Sequence, residues 1–250
     1  MSKIRDAMRK AEGELWRPET GAPVPESVPP KGEGPLGLVP AMSSELLSYY
    51  EAVGKQIEVA LGNATTRNVI FTGAISGDGT STLTAQFGEM LSRRGERVLL
   101  IDGNPRHPSL HRQFHLPDSP GLAEHVSGTA PQDAVIHPTG FANLELVPLG
   151  RCSDRSEAER ITESLGEFQR AVAPRYDYVL VDTDYIGSPF FSQAAVGTAD
   201  GLVLVVRAGK TNRQIAARAL ETVRQVDGRV LGVILNRREF PIPSFIYRRL

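Results

Sequence analysis

Short apolar, β-branched runs recur between residues 69 and 236 and alternate with stretches whose apolar positions repeat every three to four residues. The runs at 69–72, 97–102, 178–182, 201–207 and 230–236 predict five strands, and 144–148 predicts a weaker sixth. Helical periodicity runs from Ser43 or Ser44 to about Gly62, and again from Ser81 to Arg94. Strands that are apolar at nearly every position are covered on both faces. The pattern therefore predicts an α/β fold, a mostly parallel sheet sandwiched in a three-layer α/β/α arrangement. In such sheets ligands bind beyond the carboxyl ends of the strands, which directs attention to the residues that close each run.

The ends of the chain read differently. Residues 1–16 place Ile4, Met8, Ala11 and Leu15 on one helical face with Lys3, Arg5, Arg9 and Lys10 nearby, a short basic amphipathic helix suited to docking on a partner or an anionic membrane surface, or to fraying. Residues 17–41 hold seven prolines among glycines and charged residues, which read as a linker. The α/β domain then occupies 42–238, and a basic, apolar tail occupies 239–250. A formal charge of −1 over 250 residues gives no overall attraction to nucleic acid. One cysteine, Cys152, excludes an internal disulfide, and no apolar run is long enough to cross a bilayer, so the sequence predicts a cytoplasmic protein, peripheral at the inner membrane at most.

The candidate chemistry starts at Gly73-Ala74-Ile75-Ser76-Gly77-Asp78-Gly79-Thr80-Ser81-Thr82, between the first strand and the second helix. Gly77 and Gly79 allow the backbone to approach a polyphosphate, the amides at the helix start point at the anion, and Ser81 or Thr82 offers a hydroxyl to phosphate or magnesium. This is a P-loop with Thr80 where the motif carries lysine. The chain has five lysines, at 3, 10, 31, 55 and 210, and none falls between 55 and 210. On sequence separation only arginines stand near the loop, and a planar guanidinium does not replace a point charge. Loss of one such cation from a transferring phosphoryl group costs roughly a thousandfold in rate, so efficient catalysis is less expected than binding.

Two further strands deliver carboxylates to the same edge. Asp102 ends the second strand and is followed by Asn104 and Arg106; Asp182 ends the run at 178–182 and is followed by Asp184 and Tyr185. Asp102 and Asp182 are the candidate catalytic and, with Ser81, magnesium-holding residues. Gly77, Asp78, Gly79, Thr80, Ser81, Thr82, Asn104, Arg106 and Asn236 are the candidate nucleotide-binding set, although Asn236 can equally cap its strand. His107, His111 and His115 are spaced by four, but Pro108 interrupts the helix that would align them, which disfavours a metal site.

With these segments in view the chain resembles the cytoplasmic domain of the bacterial tyrosine kinases (BY-kinases) of capsule and exopolysaccharide synthesis, within the Min/Par-like P-loop group. That family's loop reads Ser-x-x-Pro-Gly-Glu-Gly-Lys-Ser-Thr against residues 73–82. Its Asp-x-Asp-x-Arg segment followed by Pro-Ser-Leu-His matches Asp102 to Arg106 and Pro108 to His111, and its Asp-Thr-Pro-Pro matches 182–185. The resemblance implies ATP or ADP with Mg²⁺ as cofactors, tyrosine phosphorylation as the activity, a membrane polysaccharide co-polymerase or chain-length determinant as partner, and homo-oligomers as an assembly form.

The departures fall on the chemistry: Thr80 for lysine, Asn104 for the second aspartate, Asp184 and Tyr185 for two prolines, and only Tyr247 after Asn236 where the family has a tyrosine-rich tail. The family's Glu-x-x-Arg-x-x-Arg assembly motif meets Glu51, Gly54 and Ile57. The sequence is therefore read as a pseudokinase that regulates polysaccharide assembly through protein contacts. An active kinase with an atypical loop and a Min/Par-like spatial or adaptor ATPase stand as alternatives.

Overall fold

In the computed structural model, residues 42–62 and 66–237 are described. The basic helix expected at 1–16, the linker at 17–41 and the tail at 239–250 lie outside them. Helix α1 (Ser44–Leu61) opens where Ser43 accepts a hydrogen bond from the Leu46 amide at 3.2 Å and stops at Gly62, whose φ of 69° suits glycine. Then follow β1 (Arg67–Gly73), α2 (Thr80–Arg93), β2 (Val98–Gly103), the short α3 (Leu110–Gln113) and α4 (Leu122–Val126), β3 (His137–Pro138) and β4 (Leu144–Val147). The chain continues through α5 (Arg155–Val172), β5 (Tyr178–Thr183), α6 (Gln193–Thr198), β6 (Gly201–Arg207), α7 (Arg213–Gln225) and β7 (Val230–Asn236). Asp154 and Asn212 cap α5 and α7 by accepting from the amides of Glu157 and Ile215, both at 2.9 Å.

The sheet runs β3-β4-β2-β5-β1-β6-β7, parallel throughout except for the β3–β4 pair. Two-residue alternation along each strand divides the core. Ile70, Leu99, Ile101, Val179, Val181, Leu202 and Leu204 meet Ile161, Leu165 and Phe168 of α5 and Val223 of α7 on one face. Val69, Phe71, Val98, Leu100, Leu180, Val203 and Val205 meet Ile57 and Leu61 of α1 and Leu83, Phe87 and Met90 of α2 on the other. Each such side chain withdrawn from water contributes about 1.5–3 kcal/mol, which is why apolar runs with no polar gaps settle in the middle layer. Gly88 lets α2 lie close to β2: a Cβ there would stand 2.7 Å from Cδ2 of Leu100.

This is the three-layer α/β/α architecture that the pattern predicts. The sequence reading did not include β3, a two-residue antiparallel pairing of His137 with Leu146 and Pro138 with Glu145. A strand so short, with a proline in it, carries no periodic signal and belongs at a sheet edge. For function the decisive feature is register: Asp102 pairs with Asp182, and Asp182 with Phe71, so the carboxyl ends of β2, β5 and β1 finish level beside the loop that enters α2.

Candidate functional site

The loop between β1 and α2 is folded around the carboxylate of Asp78, which is 1% exposed. One oxygen accepts from the amides of Ala74 and Ile75 at 3.1 and 3.0 Å, and the other from the Thr211 hydroxyl at 2.6 Å. The Asp78 carbonyl accepts from Nδ2 of Asn236 at 2.9 Å. Gly77 and Gly79 sit at φ 83° and 89°, in the left-handed region, and a Cβ on Gly79 would fall 2.3 Å from Asn236 Nδ2. Short polar ties thus hold the loop open, with the first turn of α2 ending in its concavity.

A cleft of about 580 Å³ lies over this turn, lined by Ser76, Gly77, Gly79, Thr80, Ser81, Thr82, Asn104, His107, Arg112, Asp184 and Tyr185 among others. Of the candidate nucleotide-binding residues, Gly77, Gly79, Thr80, Ser81, Thr82 and Asn104 line the cleft, while Asp78 and Asn236 brace the loop from behind. Asn104 accepts from the amides of Arg106 and His107, both at 3.2 Å, and so shapes the turn after β2. Arg106 does not line the cleft. Its Nε stands 3.9 Å from Asp184 Oδ2 and its guanidinium covers the Tyr185 ring at 5.8 Å, so the two residues that replace the family's prolines hold it. His107 lines the cleft, and among the described residues no group of three or more His, Cys, Asp or Glu side chains is arranged to hold a metal ion. A larger groove of about 710 Å³ lies between α1 and β7 and is flanked by apolar side chains such as Val53, Leu231 and Val233.

Asp102 and Asp182 are both fully buried, yet their surroundings differ. Asp102 accepts from the amides of Ser109 at 2.8 Å, Leu110 at 3.0 Å and Asn104 at 3.3 Å. Burial pushes its pKa up to about 6, against the pull of those three amides and of Arg112. Asp182 has no hydrogen-bond partner on either oxygen. Burial raises its pKa well above the usual carboxylate range, the charge of Asp102 and then that of Asp184 add to the rise, and Ser81 opposes it without reaching hydrogen-bond geometry. Asp184 is spoken for: it accepts from the Ser188 hydroxyl and from the Tyr185 amide at 2.9 Å. A buried carboxylate without donors needs a cation or a proton. Asp182 with Asp102 and Ser81 therefore fits Mg²⁺, which takes one or two carboxylates and fills its remaining positions with water and phosphate.

The expectation that no lysine comes near the loop is corrected here. Lys210, in the turn after β6, donates from Nζ to the carbonyl of Ser76 at 3.0 Å. The contact joins residues 134 positions apart. The available signal was topological: Lys210 and Thr211 follow a parallel strand at the same carboxyl edge as the loop. Arg112 was likewise not singled out from the sequence.

A parallel sheet, a glycine-bearing loop opening a helix, and two level strand-end aspartates define a P-loop NTPase-type domain. Residues 67–226 match a family model described as cellulose biosynthesis protein BcsQ, so the chain belongs to that family, and its sequence is also similar to tyrosine-protein kinases. It is 27% identical to tyrosine-protein kinase YwqD of Bacillus subtilis over 190 residues, 76% of this chain and 80% of YwqD. It is 28% identical to the succinoglycan biosynthesis transport protein ExoP of Rhizobium meliloti over 182 residues, 72% of this chain and 23% of ExoP. The kinase domain of Escherichia coli tyrosine kinase ETK superposes with a TM-score of 0.73 at 17% identity, covering 82% of this chain and 83% of that one. The septum site-determining protein MinD of Pyrococcus horikoshii, solved with Mg-ADP, gives 0.61 at 22% identity, covering 74% and 76%. At these identities the structural likenesses show the fold.

Proposed function

We propose that this protein is a catalytically impaired BY-kinase homologue that regulates exopolysaccharide or capsule biosynthesis or export through contact with a membrane chain-length-determining co-polymerase. The observation that carries this reading is Thr80, half-buried in the cleft at the position of the motif's cation, within a loop whose other features are in place. ATP or ADP with Mg²⁺ would lie over the start of α2. The amides from Gly77 to Thr82 face the phosphates, the hydroxyls of Thr80, Ser81 and Thr82 hydrogen-bond them, and Asp102, Asp182 and Ser81 hold the metal. Magnesium supplies charge to the β- and γ-oxygens when bound. Without an ammonium rooted in the loop, charge developing on a transferred phosphoryl group is poorly met, so the cleft serves as a nucleotide-sensing switch for docking.

The name of ExoP, a succinoglycan biosynthesis transport protein, supports the polysaccharide setting by relationship, and that of YwqD supports the kinase relationship. Among the described residues no helix is long and apolar enough to cross a membrane. Placement at the inner membrane is assigned to the partner or to the basic segment at 1–16. Homo-oligomers through the family's arginine motif are disfavoured, because Gly54 and Ile57 at its arginine positions are buried against α2.

The test is label transfer from γ-labelled ATP with Mg²⁺ by the purified protein. The reading expects neither tyrosine labelling nor phosphate release above that of Asp182→Ala; robust turnover abolished by Asp182→Ala overturns it. That second outcome defines the competing reading, a working ATP-dependent tyrosine kinase, which the intact Asp102 and Asp182 pair favours.

A further inference from the structure

We propose that Lys210 is the phosphate-binding cation of this cleft: its ammonium, delivered from the β6–α7 turn to the tip of the loop, supplies to a nucleoside triphosphate the positive charge that Thr80 lacks. The inference rests on the reading that the cleft takes nucleotide.

The placement is built by the fold. Lys210 Nζ lies 3.0 Å from the Ser76 carbonyl and 3.0 Å from where a Cβ on Gly77 would stand. Ser76 and Gly77 both line the cleft. Any side chain at Gly77 would press on that ammonium, so the glycine leaves the approach open.

The turn carrying Lys210 is tied to the loop at several points. Thr211 donates to Asp78 at 2.6 Å, the Arg207 amide donates to the Thr211 hydroxyl at 3.2 Å, and the Ala208 amide donates to the Asn236 carbonyl at 2.9 Å while Asn236 grips Asp78. The backbone of Lys210 is therefore fixed relative to the phosphate loop while its side chain stays exposed.

The chemistry points the same way. Among the described residues no carboxylate lies within ion-pair distance of Lys210, and the bond to Ser76 uses one of three ammonium donors. A strongly hydrated ammonium gains little by resting on one exposed carbonyl, but two free donors at the tip of the glycine-bearing loop suit a phosphate oxygen. Arg106 is occupied with Asp184 and Tyr185, and Arg112 lines the cleft from α3. Among the described residues, Lys210 is the cation that hydrogen-bonds the loop, from just outside the residues that line the cleft.

The test is displacement of a fluorescent nucleotide analogue by ATP, ADP and AMP, with Mg²⁺, on the full-length chain. Wild type is compared with Lys210→Met, Lys210→Arg, Thr80→Lys and the Thr80→Lys/Lys210→Met pair. Losing one charge-assisted contact weakens ATP binding about tenfold or more. Lys210→Met is expected to show that loss for ATP, a smaller one for ADP and none for AMP, at an unchanged melting temperature. Lys210→Arg should recover part of the loss, and the effect of Lys210→Met should shrink in the Thr80→Lys background. Equal ATP affinity of wild type and Lys210→Met, or an equal loss for AMP, overturns the assignment. If only chains carrying Thr80→Lys bind, the cleft reading stands and the Lys210 assignment falls. If no variant binds any nucleotide, the cleft reading falls with it.

Discussion

Asp182→Asn tests how the carboxylate pair at the strand ends is charged. In the wild type both carboxylates are fully buried and face each other across the β2–β5 register. For Asp102 the rise from 3.8 to about 6 corresponds, at 1.36 kcal/mol per unit, to about 3 kcal/mol withheld from folding once both states are ionised. Asp182 has no hydrogen bonds to offset its burial and also feels the charge of Asp102, so its ionisation opposes folding in the same direction.

The sign follows from proton counting. A carboxyl whose pKa is raised by folding binds more protons in the native state, so stability falls as pH rises from the unfolded value near 4 through the raised value. Replacing Asp182 by Asn removes the charge and leaves a buried amide with unmet bonds, a cost of about 1–3 kcal/mol. Taking the roughly 3 kcal/mol scale of Asp102 as the guide, the net gain at pH 8 is about 0–2 kcal/mol, or up to roughly 8 °C in melting temperature for a domain of this size. Thermal unfolding without magnesium or nucleotide, at pH steps from 4 to 8, reads it. The variant is expected to be no more stable than wild type at pH 4 and to pull ahead as pH rises. A variant less stable than wild type at pH 8, or a difference independent of pH, refutes the reasoning.

Three further perturbations address how the loop and helix α1 are held. Asp78→Ala strands the amides of Ala74 and Ile75 and is expected to cost about 2–4 kcal/mol in urea unfolding. Gly79→Ala, at φ 89° and against Asn236, is expected to cost about 1–3 kcal/mol and to abolish nucleotide binding by breaking the Asn236–Asp78 tie; unchanged binding would show the tie to be dispensable. Ile57→Arg, which puts the family's arginine on a residue 4% exposed, is expected to lower stability by about 3 kcal/mol or more, and sedimentation should show no rings.

What the sequence disclosed follows physical lines. The strand at Gly201–Arg207 was readable to the residue because an apolar run buried in a parallel sheet ends abruptly, and the edge strand at Val230–Asn236 was readable from its apolar, β-branched composition although Val233 and Leu235 are exposed. The loop and the two aspartates were readable because their spacing to strand ends is local. Three features depend on contacts that no local pattern encodes. Lys210 reaches Ser76 from 134 residues away, Arg106 is drawn to Asp184 and Tyr185, and β3 is a two-residue edge pairing. The contrast between Asp102, with three amide donors, and Asp182, with none, likewise arises only when the turn after β2 folds back as Ser109 and Leu110. Gly54 and Ile57 could be seen to lack the family's arginines, but only the packing of α1 on α2 shows that those positions point inward.

The measurement that bears most directly on the account is calorimetric titration of Mg-ATP into wild type and Thr80→Lys. A nucleotide cleft missing its loop cation, with Lys210 supplying part of the charge, should give measurable, weak binding in the wild type and tighter binding in the variant, by up to about tenfold. Affinity that does not change when lysine is placed at position 80, including no binding by either protein, would contradict it.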